Sequence, residues 1–252
     1  MQNAKIYKAV SLSSQAYMKP KTYVWRNKDA HYIRRKHINC FVTPCQDTNT
    51  LYVVFKGTTN CEDLLLGVSS LVTLKHRILH TGYLNEYIHA HSHISRVIDK
   101  ELAKHKHISE VVFTGHSAGA AYSASASLVH QLLTNLKDKA NFSCITFGSP
   151  VVLTKSYQDY FKNNITHLSI EHVFDPIPLV PLHMDFVGLP NKLVISSPND
   201  ICFDIIYNHS MTNYMKIIED MNVACDTTTF PASCSITKQE RLVRVSHDKT
   251  SR

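Results

Sequence analysis

No apolar run in the 252-residue chain approaches the roughly 18 residues that a membrane-spanning helix needs. The opening stretch, MQNAKIYKAVSLSSQAYMKP, has neither a continuous apolar segment nor a clear small-residue cleavage site, so no secretory leader is expected. Cysteines 40, 45, 61, 144, 202, 225 and 234 form no C-x-x-C pair and no zinc pattern. An odd count without a leader points to reduced thiols inside a cell, each best read as a small buried hydrophobe. There is no RNP-like run, no zinc finger and no glycine-rich phosphate loop, so neither nucleic acid nor a phosphate-held cofactor is expected. No repeat and no low-complexity block divides the chain. A single domain over 1–252 is the expectation, with a polar, basic tail from about residue 222 left unassigned.

What is present describes an ordinary globular protein: 44% hydrophobic and 19% charged residues. The net charge is +7, with basic residues gathered in 19–37 and 238–252. Such clusters are either solvated surface or an attraction for an anionic lipid surface. Sixteen histidines are scattered, densest in HAHSHI (89–94). Helical spacing puts His89 and His93 on one face there, but without an H-E-x-x-H partner no metal site is expected.

Strand-like and helix-like stretches alternate. HINCFV (37–42) and LYVVFK (51–56) are apolar β-type runs joined by the polar TPCQDTNT, which predicts a hairpin. Helical spacing predicts helices over 84–107, 118–136, 154–163 and 210–221; short buried strands are predicted at 111–113, 143–147, 166–173 and 192–196. The alternation implies an α/β protein with a mainly parallel sheet covered on both faces.

The most informative stretch is VVFTGHSAGAAYSASASL (111–128). A buried strand runs into a small-residue helix with only about four residues between them, and Gly115 and Gly119 flank Ser117. Glycines remove the Cβ atoms that would collide in so sharp a reversal, leaving the serine at the tip of a strained turn. This is the G-x-S-x-G nucleophile elbow in the context it requires. A serine needs a histidine to take its proton and a carboxylate to hold that imidazole. In HVFDPIPLVP (172–181), Asp175 follows a β-type run and is held on a Pro-rich loop; Asp185, Asp200 and Asp204 follow no such strand. The histidines downstream of Asp175 or close to it are His172, His183, His209 and His247. His209, just before a helix, is favoured, with His183 the rival. Oxyanion donors would be the backbone N–H of Ala118, next after the serine, and of Thr58, after the buried strand LYVVFKG.

These segments resemble the class 3 lipase family of the α/β-hydrolase fold. VVFKGTT is similar to its oxyanion strand and turn, HTGYLNEY (80–87) to its His-x-Gly-aromatic segment, FTGHSAGAA to its elbow, ITFGSP to its next strand and HVFDPIPLVP to its acid loop. The resemblance covers roughly residues 36 to 220 in order. It implies Ser117, Asp175 and His209 as a triad, Thr58 and Ala118 as oxyanion donors, and hydrolysis of lipid carboxylic esters through an acyl-enzyme without a cofactor. The departures are Lys56, where Arg is usual, and Ala118 and Ala120, where Leu and Gly are common; Lys lacks the planar fork of Arg. The apolar stretch 60–79, with Leu64, Leu65 and Leu71, falls where the family places a lid, or else is a core helix with a glycine break. The implied partner is a lipid ester, met at an anionic membrane or droplet surface. The alternatives are a catalytically silent lipid- or partner-binding protein, and a phospholipase or soluble-ester esterase.

Overall fold

The computed structural model describes residues 2–18, 29–35, 37–58, 78–180, 186–197 and 204–227. Its centre is a seven-stranded sheet in the order β1-β2-β3-β4-β5-β7-β9. The strands are β1 (His31–Arg35), β2 (Ile38–Cys45), β3 (Thr50–Phe55), β4 (Glu110–His116), β5 (Asn141–Phe147), β7 (Thr166–His172) and β9 (Lys192–Ile195). β1, β2 and β3 are antiparallel neighbours; from β3 through β9 every pairing is parallel. The middle strands are buried on both faces, as a covered parallel sheet demands, and every residue of β3 is buried. A separate two-stranded ladder pairs β6 (Leu153–Thr154) with β8 (Phe186–Val187).

Helices cover both faces. Those on the described residues are α1 (Gln2–Gln15), α2 (Ile78–Lys104), α3 (Ala118–Leu133), α4 (Lys155–Asn164), α5 (Ile205–Asn208) and α6 (Met211–Thr227). On one face α2 and α3 close a core containing Tyr87, Ile94, Ile98, Phe55 and Phe113. On the other, α1 and α6 pack together over Tyr52, Val54, Val112 and Phe147.

The hairpin expected from residues 37–56 is present, and β2 runs further than its apolar residues imply, through Pro44 to Cys45. Pro44 lies beyond Val42, the last β2 residue that β1 reaches, so among the described residues no strand pairs with it on that side. A residue lacking an N–H is tolerated at such a position. Helix α1 is a feature that periodicity shows only in retrospect. Ala9, Leu12 and Ala16 are buried at helical spacing, but polar Ser and Gln residues between them dilute the pattern. α6 continues past the expected residue 221 to Thr227, and the tail 228–252 lies outside the described residues. Among the described residues no helix is long and apolar enough to cross a membrane.

Candidate active site

The C-terminal ends of the parallel strands bring the candidate residues to one edge. β4 ends at His116, and Ser117 turns the chain into α3 with φ 59° and ψ −128°, a left-handed backbone that a serine rarely adopts. The turn is fixed by Ser117 N–H donating to the Phe147 carbonyl at 3.0 Å, and by Ser117's own carbonyl accepting from Ala120 at 2.9 Å. α3 starts hard against the end of β3: a Cβ on Gly119 would lie 3.0 Å from the Gly57 nitrogen and from the Lys56 carbonyl carbon. Only glycine permits that approach, and it brings the β3 turn beside the start of the helix.

Asp175 follows β7 by three residues and is held from several directions. Its Oδ1 accepts from the Ile177 N–H at 2.9 Å; its Oδ2 accepts from the Tyr214 hydroxyl at 2.7 Å and lies 2.8 Å from His209 Nδ1. Tyr214 in turn accepts the His172 backbone N–H at 2.9 Å. Burial, with the Asp175 charge beside it, pushes the Tyr214 phenol well above its usual range, so it remains a donor. Gly148, after β5, completes the cradle. Its φ is +53°, and a Cβ there would lie 2.8 Å from Asp175 Oδ2 and 3.0 Å from the Tyr214 hydroxyl.

His209 lies between α5 and α6, its ring 4.6 Å from that of His116, the neighbour of Ser117. Ser117 and His209 are each 1% exposed and Asp175 4%, so the group is shielded from bulk water. The Ser117 hydroxyl and His209 Nε2 are both buried without a hydrogen-bond partner. Buried polar atoms are rarely left so, and here one is a serine hydroxyl and the other an imidazole nitrogen.

Ala118, the first residue of α3, keeps a backbone N–H that no helical carbonyl reaches. It lines, with Thr58, a cleft of about 420 Å³ whose other walls include Lys56, Tyr83, Glu86 and Tyr122. The Tyr122 hydroxyl donates to the Glu86 carboxylate. Lys56, where the family usually carries Arg, is half-buried in the cleft wall, and its backbone N–H donates to the Asn39 carbonyl at 2.9 Å.

Among the weaker sequence candidates, Asp204 caps α5, accepting from the Tyr207 N–H, and His172 ends β7 with Nδ1 accepting from Phe174. His183, Asp185, Asp200, His247 and the lid stretch with Leu64, Leu65 and Leu71 lie outside the described residues. Sequence reasoning passed over Tyr214 and Gly148. Tyr214 sits in the apolar stripe of α6 with Met211, Ile217 and Ile218, where an aromatic reads as core. The signal for Gly148 was its place directly after a buried strand.

A mostly parallel sheet, a strained serine between β4 and α3, and an acid and histidine beyond later strands define an α/β-hydrolase. The family model for class 3 lipases matches residues 52–184, and the chain belongs to that family. The fold is similar to that of Rhizomucor miehei lipase in complex with its propeptide. That match has a TM-score of 0.65 at 16% identity, over 86% of this chain and 81% of the other. It also resembles the Lip2 lipase of Yarrowia lipolytica, with TM-score 0.64 at 16% identity over 84% and 93%, and lipase II from Rhizopus niveus, with 0.61 at 21% over 78% and 81%. No curated protein matches the chain. Membership of the family supports hydrolysis of lipid carboxylic esters.

Proposed function

We propose that the protein hydrolyses lipid esters through an acyl-enzyme formed on Ser117. The observation that carries this reading is the pair of buried, unpartnered atoms, Ser117 Oγ and His209 Nε2, with Asp175 fixed behind the imidazole. Ser117 Oγ attacks the ester carbonyl while His209 Nε2 takes its proton. Asp175 holds Nδ1–H and balances the imidazolium that forms. The backbone N–H groups of Ala118 and Thr58 receive the developing oxyanion, and His209 returns the proton to the leaving alcohol. Water, activated by the same histidine, then releases the acid.

The substrate reading is an acylglycerol or phospholipid at a surface. It rests on the apolar stretch 60–79 following the Thr58 turn and on the basic segments 19–37 and 238–252, which together favour an anionic interface. Fluorophosphonate labelling tests the chemistry: Ser117 is expected to be labelled, and Ser117→Ala to lose both labelling and ester hydrolysis. A folded protein never labelled, even with detergent present, would overturn the reading. His209→Ala is expected to be as inactive as Ser117→Ala while His183→Ala keeps most of its rate; the reverse would move the base to His183. Tributyrin assayed across its solubility limit should show a jump in rate, and smooth saturation would instead indicate a soluble-ester esterase.

A further inference from the structure

The proposed chemistry assigns no role to His116, yet this side chain is better anchored than many that touch a substrate. It is 2% exposed, and both ring nitrogens are engaged. Nε2 lies 2.7 Å from the His209 backbone carbonyl, which can only accept, so Nε2 carries the hydrogen. Nδ1 is then the acceptor and takes the Tyr17 hydroxyl at 2.7 Å. Burial, with His209 beside it, holds His116 well below the usual imidazole range and keeps it neutral. The two contacts therefore select one tautomer of a neutral ring.

The anchor reaches further through Tyr17. Tyr17 lies two residues past the end of α1, its N–H donating to the Ser14 carbonyl at 3.2 Å. Its hydroxyl also fills the space over Gly57, in the turn that leads to Thr58. α1 is in turn fixed to β4 by a 3.2 Å contact between the Ser13 and Thr114 hydroxyls, and it packs against α6, the helix following His209. One hydroxyl on the N-terminal segment thus touches the oxyanion turn and the bracket behind the base.

We propose that His116, locked by Tyr17, is a positioning residue that holds His209 in register with Ser117. The inference rests on the acyl-enzyme reading above. Asp175 holds the imidazole from Nδ1, and the His209 N–H donates to the Ile205 carbonyl at 3.0 Å, but neither contact ties His209 to the strand that carries Ser117. His116 Nε2–H restrains the His209 backbone, and its ring lies against the imidazole with an interplanar angle of 33°. A displacement of about 1 Å between reacting groups costs up to about 10²-fold in rate, so the restraint acts on kcat and not on substrate affinity.

Three variants test this on a short-chain p-nitrophenyl ester, alongside the rate of fluorophosphonate labelling and the melting temperature. His116→Phe keeps an aromatic ring but loses both hydrogen bonds; kcat and labelling rate are expected to fall about 10- to 100-fold with KM unchanged. His116→Gln can place an amide N–H near the Nε2 position and should recover a large part of that loss, although it packs less well. Tyr17→Phe removes one oxygen and should lower kcat up to about tenfold. A purely packing role predicts the opposite ranking, with Phe at least as active as Gln. That ranking, or a Tyr17→Phe protein with wild-type kcat, overturns the proposal. If His116→Phe does not fold, Tyr17→Phe decides alone. Failure of labelling in the wild type would instead strike the acyl-enzyme reading itself.

Discussion

His209 and His130 share a description up to a point. Both are almost fully buried, both engage one ring nitrogen, and both leave the other without a partner. His130, on α3, has Nε2 at 2.8 Å from the Tyr87 hydroxyl and rings of Phe113, Phe142 and His91 within 5.0–5.4 Å. Burial, helped by His91, pushes its pKa down to about 3. His209 has the Asp175 carboxylate at 2.8 Å instead of a phenol. Burial alone makes an imidazole neutral and inert, because no neighbour compensates a gained proton. A carboxylate at hydrogen-bond distance supplies that compensation, so a buried histidine can accept a proton and return it.

Substitution at Asp175 attacks the comparison at its root. Asp175→Asn should lower kcat by about 10⁴-fold, because the amide holds the wrong tautomer and carries no charge; steady-state kinetics at fixed enzyme concentration check this, and a loss below about tenfold would remove the carboxylate from the explanation. Tyr214→Phe weakens the same centre less. It deletes one of the bonds on Asp175 Oδ2 and frees the His172 N–H, and a fall in kcat of about three- to tenfold is expected, with KM little changed.

His130→Leu addresses the other half of the comparison. It leaves the Tyr87 hydroxyl buried without its partner and should destabilise the fold by about 1–3 kcal/mol in urea unfolding, while kcat stays within about twofold. A large loss of kcat in a folded variant would show that the two histidines are not separate. The same histidine also shapes the pH dependence of stability. His130 titrates near 6.5 when unfolded and near 3 when folded, so the folded state binds fewer protons between these values. Its contribution is complete above about pH 6.5 and is lost as the pH falls towards 3. The urea midpoint of the wild type should therefore drop more steeply over that window than that of His130→Leu, and parallel curves would refute the assignment.

The regions differed in how well they could be read from residue order. The elbow was legible because β-branched residues, two glycines and a small-residue helix stand in one continuous stretch, and the acid loop because Pro176 and Pro178 stop a strand directly after Asp175. α1 and β1 were not. The buried residues of α1 are interleaved with polar ones that face the sheet through single contacts such as Ser13 to Thr114. β1 is an edge strand with only Ile33 buried, and its alternation is too short to stand out.

Residue order by itself determined the family and the strained serine turn, and singled out Asp175 and His209 as candidates, since each depends on chemistry within a few consecutive residues. Only the tertiary structure decided what holds them. Tyr214 reaches Asp175 across 39 positions, His116 meets the carbonyl of His209 across 93, and Tyr17 reaches His116 across 99. No local pattern encodes those partners, because a hydrogen bond between distant segments exists only once the sheet has been assembled and both of its faces covered.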